Sequence, residues 1–526
     1  MPSIRSWVLL LALPLALSAC KNEEEVPTPP APTPVAPGNW EDTGAFATCG
    51  IRAGTCGALD TFDLSQCDTG TLSGFNPEGT YSLQLRYLIN NRAVFGTAGM
   101  GLTSAAGAEE WLSRRKVVER QVGPTTVFYR GEETLSDGEV RVRSYVGCRM
   151  PGADHLVGCF DECSNGQRSV RGSFQARRIT PAPGEPESAG LSLVSETQMK
   201  APTTTPPVLP TGIPVDVYVT KKHAYVVSLN AGLYVYDVEY PQRPVFQTQI
   251  YERTDSYWNG VWAHGDALYV ASARRGVLVF DIRNPHSPTL VRSVPTVPPN
   301  VHTVFVSGNL LYAAAQEPDA AVLVFDVTTP LSPVLISKFQ AKGFSAPQQG
   351  DGPHDMLAFE DRLYVNFWGA GYVVASMERP DEPVQLGSYR YEHATSHANA
   401  VGRYGDRLIA FEGSEDWGAH LRVLDVTDPA NIRQIGEWRL FEHVSIHNMV
   451  LVGTRLYVAH YQGGVRVLDV SVPETPRQVA HFNTFRATDP RRGTSFYDGA
   501  IGIRVPGDGY VYTVDTSRGL IILREQ

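Results

Sequence analysis

The second half of the chain repeats one pattern seven times, and this repetition restricts the possible folds more than any other feature. Each unit contains a short apolar run, a turn, and a second apolar run that is usually followed by an Asp and one or two Pro. The units align on residues that are 43 to 55 positions apart, namely Tyr225, Tyr269, Tyr312, Tyr364, Ile409, Tyr457 and Tyr512. A fixed period in this range, with several short strands in each unit, predicts a β-propeller of seven blades.

The sixth unit shows the four strands that a propeller blade needs. From the innermost strand outward, we expect Met449–Val452, Leu456–Ala459, Val465–Val470 and Gln478–Phe482. The pair Gly463-Gly464 permits a tight hairpin between the second and third strands. The unit therefore predicts an antiparallel blade of four strands.

A carboxylate recurs at the end of the third strand of most units, and its position favours a structural role. Five of these residues could be taken for catalytic groups, but side chains of this type at strand ends cap the turns that follow. The fourth unit has Ser376 instead of an acid. The five acids are Asp237, Asp281, Asp326, Asp425 and Asp469.

The units resemble the LVIVD repeat, which takes its name from runs such as VRVLDV at 465–470 and VLVFDV at 322–327. The resemblance covers roughly residues 210–526. It implies an exported or surface protein of bacteria with a propeller fold, often a lipoprotein, and it implies no particular activity.

The last repeat lacks an outermost strand, which raises the question of how the ring closes. The unit ends at Gln526, directly after its third strand. Leu191–Ser195 has the length and alternation of a strand and precedes the first unit. We expect this segment to complete the last blade, so that residues 181–526 form the propeller and no long edge is exposed.

The N-terminal residues have the pattern of an export signal. Residues 1–19 combine Arg5 with a short apolar run, and small residues precede Cys20 in a sequence that resembles the bacterial lipobox. That resemblance implies cleavage before Cys20 and lipid attachment, although an ordinary signal peptide is the alternative. Residues 20–39 are acidic and then Pro-rich, which predicts an extended spacer that buries no core. The expected location is the bacterial cell envelope, lipid-anchored, at the outer membrane or cell surface.

Residues 40–180 predict a separate small β domain that is held together by disulfides. Alternating stretches with Gly-containing turns favour a β-sandwich or barrel. Six cysteines follow Cys20, and an even number in an exported chain predicts three disulfides, although the sequence leaves fifteen pairings open. No CxxC pair is present, which argues against a zinc site. The six are Cys49, Cys56, Cys67, Cys148, Cys159 and Cys163.

Histidines mark the start of the innermost strand in four consecutive units. His302, His354 and His447 each precede the aligned Tyr by ten residues, and His397 takes this place after a two-residue insertion. Asn259 and Asp216 stand at about this position in the second and first units. Inner strands line the channel of a propeller, so these side chains are expected to surround the channel mouth.

The loops after the second strands return to the same face of the propeller and add aromatic groups to it. Loops on a rigid scaffold commonly carry binding residues. We therefore predict a candidate binding face composed of His302, His354, His397, His447, Asn259, Asp216, Trp368, Trp417 and Tyr461.

Three interpretations of the four histidines remain open. They can donate hydrogen bonds to the backbone of the neighbouring blade, they can bind a single transition-metal ion, or they can act as acids and bases without a metal. The stretches YEHATSHANAV and FEHVSIHNMVL do not fit a zinc protease, which requires His-Glu-x-x-His on a helix.

The sequence as a whole favours an anchored binding protein over an enzyme. The formal net charge of −10 and the lack of a basic tract argue against nucleic acid as a partner. The expected function is a propeller module that binds a protein or glycan partner, with the membrane contacted through the lipid. The alternative is a metal-dependent enzyme that uses His302, His354, His397 and His447.

Overall fold

The computed structural model describes residues 36–526 except 43–45, 90–91, 136, 181–184, 200–208, 256 and 487–494. The predicted signal peptide, Cys20 and most of the predicted spacer lie outside the described residues. The part of the chain that is described contains no helix with the length and apolar character needed to cross a membrane.

Eight antiparallel strands before residue 180 close into a barrel, which decides between the two folds that the sequence left open. Two short strands, β1 (Gly50–Ile51) and β2 (Phe62–Asp63), form a separate hairpin-like pair beside it. The barrel strands are β3 (Gly79–Ile89), β4 (Arg92–Leu102), β5 (Trp111–Leu112), β6 (Arg115–Gly123), β7 (Thr126–Thr134), β8 (Val140–Gly152), β9 (His155–Ser164) and β10 (Gln167–Arg178).

Three disulfides tie the segment before the barrel to its β8 and β9 strands, so the six cysteines pair as an oxidised set. Their pairing is Cys49–Cys159, Cys56–Cys163 and Cys67–Cys148. Each bond closes a loop of 81 to 110 residues, which reduces the entropy of the unfolded chain.

Seven antiparallel sheets follow and form the blades of a propeller. The first three blades contain β13 (Ile213–Thr220), β14 (His223–Leu229), β15 (Gly232–Asp237) and β16 (Val245–Ile250); β17 (Trp258–His264), β18 (Ala267–Ser272), β19 (Gly276–Asp281) and β20 (Thr289–Val294); β21 (Asn300–Ser307), β22 (Leu310–Glu317), β23 (Ala321–Asp326) and β24 (Val334–Phe339).

The remaining blades follow the same order. They contain β25 (Met356–Phe359), β26 (Arg362–Asn366), β27 (Tyr372–Ser376) and β28 (Val384–Tyr389); β29 (Ser396–Tyr404), β30 (Arg407–Ser414), β31 (Leu421–Asp425) and β32 (Arg433–Trp438); β33 (Met449–Val452), β34 (Arg455–Ala459), β35 (Val465–Asp469) and β36 (Arg477–Phe482); β37 (Ala500–Arg504), β38 (Val511–Asp515) and β39 (Gly519–Glu525). Helical structure in the described residues is limited to α1 (Ala346–Gln349) and the 3-10 turns Leu59–Thr61, Thr69–Gly74 and Pro429–Asn431.

The last blade receives its fourth strand from the segment before the first blade. The strand β12 (Leu191–Thr197) pairs antiparallel with β39, with Leu193 opposite Leu523 and Thr197 opposite Leu520. Just upstream, β11 (Ser188–Ala189) adds a fifth strand to the sixth blade. Residues from the beginning and the end of the propeller thus share one sheet.

The recurring Asp residues form turns, as their position at strand ends indicates. In each case one carboxylate oxygen accepts a hydrogen bond from the backbone N–H two residues later, as in Asp237 to Glu239 at 2.9 Å and Asp469 to Ser471 at 3.0 Å. Ser376 does the same with its hydroxyl oxygen, at 3.3 Å from the nitrogen of Glu378. Such turns start the connection to the outermost strand and involve no catalytic chemistry.

Part of the predicted spacer is packed against the propeller, which corrects the expectation that residues 20–39 bury nothing. Ala36 forms a bridge with Tyr391, and Asn39 is buried. The Asn39 amide donates to His393 O at 3.0 Å, and its oxygen accepts from Arg422 at 2.9 Å. The reason is that Asn39 supplies polar partners to a guanidinium that is itself fully buried in the fifth blade.

Candidate functional site

The four histidines at the starts of the inner strands lie side by side at the channel. Their rings form an arc in which the centroids of His302 and His354 are 4.6 Å apart, those of His354 and His397 5.2 Å, and those of His397 and His447 4.5 Å. We refer to these four residues as the histidine arc. The arc follows from the repeat, because each blade places the start of its inner strand at the channel.

Two overlapping groups of donor atoms occur within the arc. His302, His354 and His397 each offer a nitrogen, and these atoms lie within 4.8 Å of one another; the same holds for His397, His447 and a carboxylate oxygen of Glu415. His397 belongs to both groups. Imidazole and carboxylate are common ligands of divalent transition metals, so the arrangement is compatible with metal binding.

Two members of the arc also donate hydrogen bonds to the neighbouring blade. His397 donates through Nδ1 to His447 O at 3.0 Å, and His447 donates through Nδ1 to Ile501 O at 2.8 Å. The interpretation that the histidines donate hydrogen bonds to the backbone of the neighbouring blade is therefore correct for Nδ1 of His397 and of His447. It does not compete with metal binding, because a donor bond at Nδ1 fixes the ring and leaves Nε2 as the acceptor that a metal requires.

Aromatic rings hold the arc from the loops after the second strands. Trp368 stacks on His354 with centroids 4.4 Å apart, and Tyr461 meets His447 edge-on at 5.2 Å. Both aromatic residues occupy the same place in their blades and have positive φ angles of 43° and 40°. Such a backbone conformation is uncommon for large residues and directs each ring toward the channel.

The fifth blade adds a carboxylate to the surroundings of the arc. Glu415 lies in the loop after β30, and its Oε2 is 3.5 Å from Nε2 of His397. Its other oxygen accepts a hydrogen bond from the hydroxyl of Tyr461 at 2.5 Å. Glu415 was not among the residues predicted from the sequence, since nothing distinguishes it from the other polar residues of that loop.

Burial keeps three members of the arc in the neutral form that binds metals. Removal from water lowers the pKa of His302 to about 3 and holds the pKa of His354 and His447 well below the usual value. The neighbouring imidazoles act in the same direction because like charges repel. At neutral pH these three rings are therefore uncharged and each retains a nitrogen lone pair.

Asn259 joins the arc, whereas Asp216 and Trp417 do not. The Asn259 amide lies 3.1 Å from Nε2 of His302. The carboxylate of Asp216 instead accepts hydrogen bonds from the nitrogen atoms of Val217 and Val261, at 2.8 and 3.1 Å. Trp417 is buried away from the arc.

The arc forms part of the wall of a cavity of about 440 Å³ on the loop side of the propeller. Residues from four blades and from the connections between them surround this space. Besides His302 and His354, the lining includes Tyr257, Asn300, Gln316, Asp351, Trp368, Glu415 and Tyr497. A molecule in this cavity would contact the imidazoles directly.

The barrel contacts the same face of the propeller. Thr97 of β4 donates its hydroxyl hydrogen to the Tyr497 hydroxyl at 3.0 Å. Trp40, which precedes the barrel, stacks on His393 with ring centroids 4.1 Å apart, and Phe95 meets His393 edge-on. The barrel therefore covers part of the surface around the arc.

A second possible donor cluster lies at the turns of the first two blades, where β14 begins, β15 ends and β19 leads to β20. It consists of His223, Asp237 and His286, with His223 Nε2 3.1 Å from His286 Nδ1. The sequence did not indicate this cluster, because its two histidines are 63 positions apart and Asp237 was assigned to a turn. One carboxylate oxygen of Asp237 is in fact used by that turn.

Comparison with known proteins supports the repeat assignment. The model of the LVIVD repeat family matches residues 257–296. No curated protein matches the chain. Among solved structures, the crystal structure of the computationally designed Ika8 protein aligns with 60% of this chain and 96% of its own, with 10% sequence identity and a TM-score of 0.39. Residues 257–296 are therefore an LVIVD repeat, the repeat family that the sequence resembles.

Proposed function

We propose that this protein is a β-propeller module that binds one transition-metal ion at the histidine arc. The observation that carries the proposal is the pair of donor groups that share His397 and whose atoms lie within 4.8 Å of one another. If the histidines only donated hydrogen bonds to the backbone, the donor atoms of neighbouring rings would not need to lie so close together.

The surrounding residues fit such an ion. The low pKa values of His302, His354 and His447 keep these three rings neutral at pH 7. The bonds from Nδ1 of His397 and His447 to backbone carbonyls orient both rings. Glu415 adds a carboxylate that Tyr461 holds in place. When bound, the ion would supply a Lewis acid beside the cavity, where a small ligand could complete its coordination.

The proposal predicts about one equivalent of zinc, copper, iron or a similar ion in the purified protein. Elemental analysis and titration with Co²⁺, whose visible spectrum reports its ligands, would measure this. We expect His397→Ala to abolish binding, because His397 belongs to both donor groups.

A matched control separates the arc from the second cluster. His223→Ala removes the donor group at the turns of the first two blades and should leave the stoichiometric metal in place. Loss of the metal in His223→Ala, with retention in His397→Ala, would refute the assignment to the arc. Absence of metal uptake by the unaltered protein would refute the proposal altogether.

We also propose that the chain is anchored to the bacterial envelope through a lipid on Cys20, as the lipobox-like sequence indicates. The Cys20→Ala protein should then no longer partition with membranes in a detergent extraction. Membrane association that persists in this variant after washing without detergent would contradict the anchor.

A second candidate function is the binding of a protein or glycan partner at the same face. Tyr257 at the rim of the cavity is 45% exposed, so part of its ring is available to a ligand. Exposed aromatic groups beside a cavity are typical of recognition surfaces. Screening against an array of bacterial glycans, with Tyr257→Ala as the test variant, would show this function as binding that the variant loses.

A further inference from the structure

A second cavity, of about 510 Å³, occupies the channel on the other side of the histidine arc. It extends from His302, His397 and His447 toward the C-terminal ends of the inner strands. It is therefore separate from the loop-side cavity, although the two share His302 as a wall residue. Neither the repeat nor the proposed metal site assigns a role to it.

The wall of this channel cavity contains both polar and apolar groups, with somewhat more apolar surface, and every blade contributes an apolar residue to it. The apolar part of the wall favours a ligand with an apolar body, since apolar surface next to water costs free energy. The apolar and aromatic wall residues, in blade order, are Tyr218, Trp262, Phe305, Phe359, Val401, Leu451 and Val505.

The cationic residue Arg504 of the cavity wall is already paired with a carboxylate. Arg504 lies 3.3 Å from the carboxylate of Asp216, and its guanidinium lies over the Trp262 ring, 4.8 Å from the centroid. The Arg504–Asp216 pair therefore presents little net charge to a ligand. An anion would therefore lose its hydration on entry without a matching partner.

Asp355 provides a hydrogen-bond acceptor in the deeper part of the cavity. One of its carboxylate oxygens accepts from the nitrogen of Met356 at 2.9 Å. Asp355 also lines the channel beside Asn399 and Asn448. The cavity thus combines apolar surface with several polar groups, as sites for small molecules of roughly 300–1,000 Å³ commonly do.

We propose that the channel cavity binds a small molecule with an apolar body and no negative charge, whose hydroxyl or other donor group faces Asp355. The apolar rings of the wall enclose the body of the ligand. Binding depends on the channel walls alone, so it goes beyond the proposed metal site and does not require it.

Three related probes test the proposal: 1-naphthol, which has a hydroxyl donor, naphthalene, which has none, and 1-naphthalenesulfonate, which is an anion. Each is titrated into the purified full chain by calorimetry at pH 7 with a metal chelator present. We expect one site for 1-naphthol, binding of naphthalene about fivefold weaker, and binding of the sulfonate at least tenfold weaker.

Substitutions in one strand locate the site. Leu451→Trp fills the cavity and should weaken 1-naphthol binding at least tenfold, whereas the neighbouring Val452→Trp, on the exposed side of β33, should leave it unchanged. Asp355→Leu should remove the preference for 1-naphthol over naphthalene. If Leu451→Trp does not fold, as judged by its thermal unfolding, Val505→Trp tests the same wall.

Two results would overturn the inference. One is equal binding of 1-naphthol by the Leu451→Trp and Val452→Trp proteins, which would place the probe elsewhere on the chain. The other is binding of the sulfonate as tightly as 1-naphthol, which would show that the cavity accepts anions. Because a chelator is present, neither result depends on whether the histidine arc binds a metal.

Discussion

Tyr461 donates its hydroxyl hydrogen to Glu415 at 2.5 Å, and the other carboxylate oxygen of Glu415 lies 3.5 Å from Nε2 of His397. The two side chains come from loops of neighbouring blades and are fixed by burial. This relationship connects an aromatic residue predicted from the repeat with a carboxylate that the repeat does not reveal. It makes the orientation of Glu415 dependent on Tyr461.

The first prediction concerns this connection. Tyr461→Phe keeps the ring against His447 but removes the donor that orients Glu415, and loss of such an outer partner typically lowers metal affinity about 10- to 100-fold. We expect a decrease of about tenfold in Co²⁺ affinity, measured by competition with a chelating dye. Tyr364→Phe is the control, because the Tyr364 hydroxyl is buried without a partner far from the arc. Equal affinities in the two variants would contradict the role of Tyr461.

The second prediction concerns the strand that completes the last blade. A chain that lacks residues 186–209 loses β12 and leaves the edge of β39 unpaired, and it also loses the partner of Arg518, whose guanidinium contacts Glu196 at 2.6 Å. We expect a lower melting temperature and more aggregation than in a chain whose propeller begins at Pro186. Light scattering during thermal unfolding would measure both. Equal melting temperatures and equal solubility would count against a stabilising role for β12.

The third prediction concerns Asn39. Its side chain bonds Arg422, Ser414, His393 and Thr395, and Arg422 is fully buried. Asn39→Ala removes one partner from each of these groups, and a buried polar group that loses a hydrogen bond costs about 1–3 kcal/mol. We expect a loss of about 2 kcal/mol or more, measured by denaturant unfolding, whereas the exposed Pro37→Ala should change stability little. A neutral Asn39→Ala would show that these bonds contribute nothing net.

The fourth prediction concerns the pH dependence of stability. Burial raises the pKa of Asp498 to about 6 from its usual value of 3.8, so the folded protein binds this proton more tightly than the unfolded chain does. This contribution to stability is present below pH 4 and is lost as the pH rises to about 6. Asp498→Asn lacks it, so the variant's melting temperature should rise relative to that of the unaltered protein between pH 4 and pH 7. A difference in melting temperature between the two proteins that stays constant from pH 4 to pH 7 would contradict the raised pKa of Asp498.

Much of the fold could be predicted from the sequence, because the repeat specifies each blade locally. The four strands expected in the sixth unit agree with β33 to β36 within one residue at each end, since strand alternation and the Gly463-Gly464 turn act over short distances. The turns at Asp237 and Asp469 also follow from residues that lie two positions apart. The four histidines could be assigned to the channel for the same reason.

Tertiary structure decided what no local pattern contains. The disulfide pairing depends on barrel strands that bring together cysteines 81 to 110 positions apart. The packing of Asn39 depends on a buried arginine nearly 400 residues later. The approach of Glu415 to His397 depends on the path of a single inserted loop.

The sequence by itself determined the number of blades, the order of their strands and the presence of histidines at the channel, because a repeat copies local hydrogen bonding and apolar alternation from unit to unit. Only the tertiary structure decided which nitrogens face the backbone, which converge with Glu415, and that a cavity lies below them. The physical reason is that these features depend on the rotation of side chains and on contacts between blades, and neither is encoded in the spacing of residues along one unit.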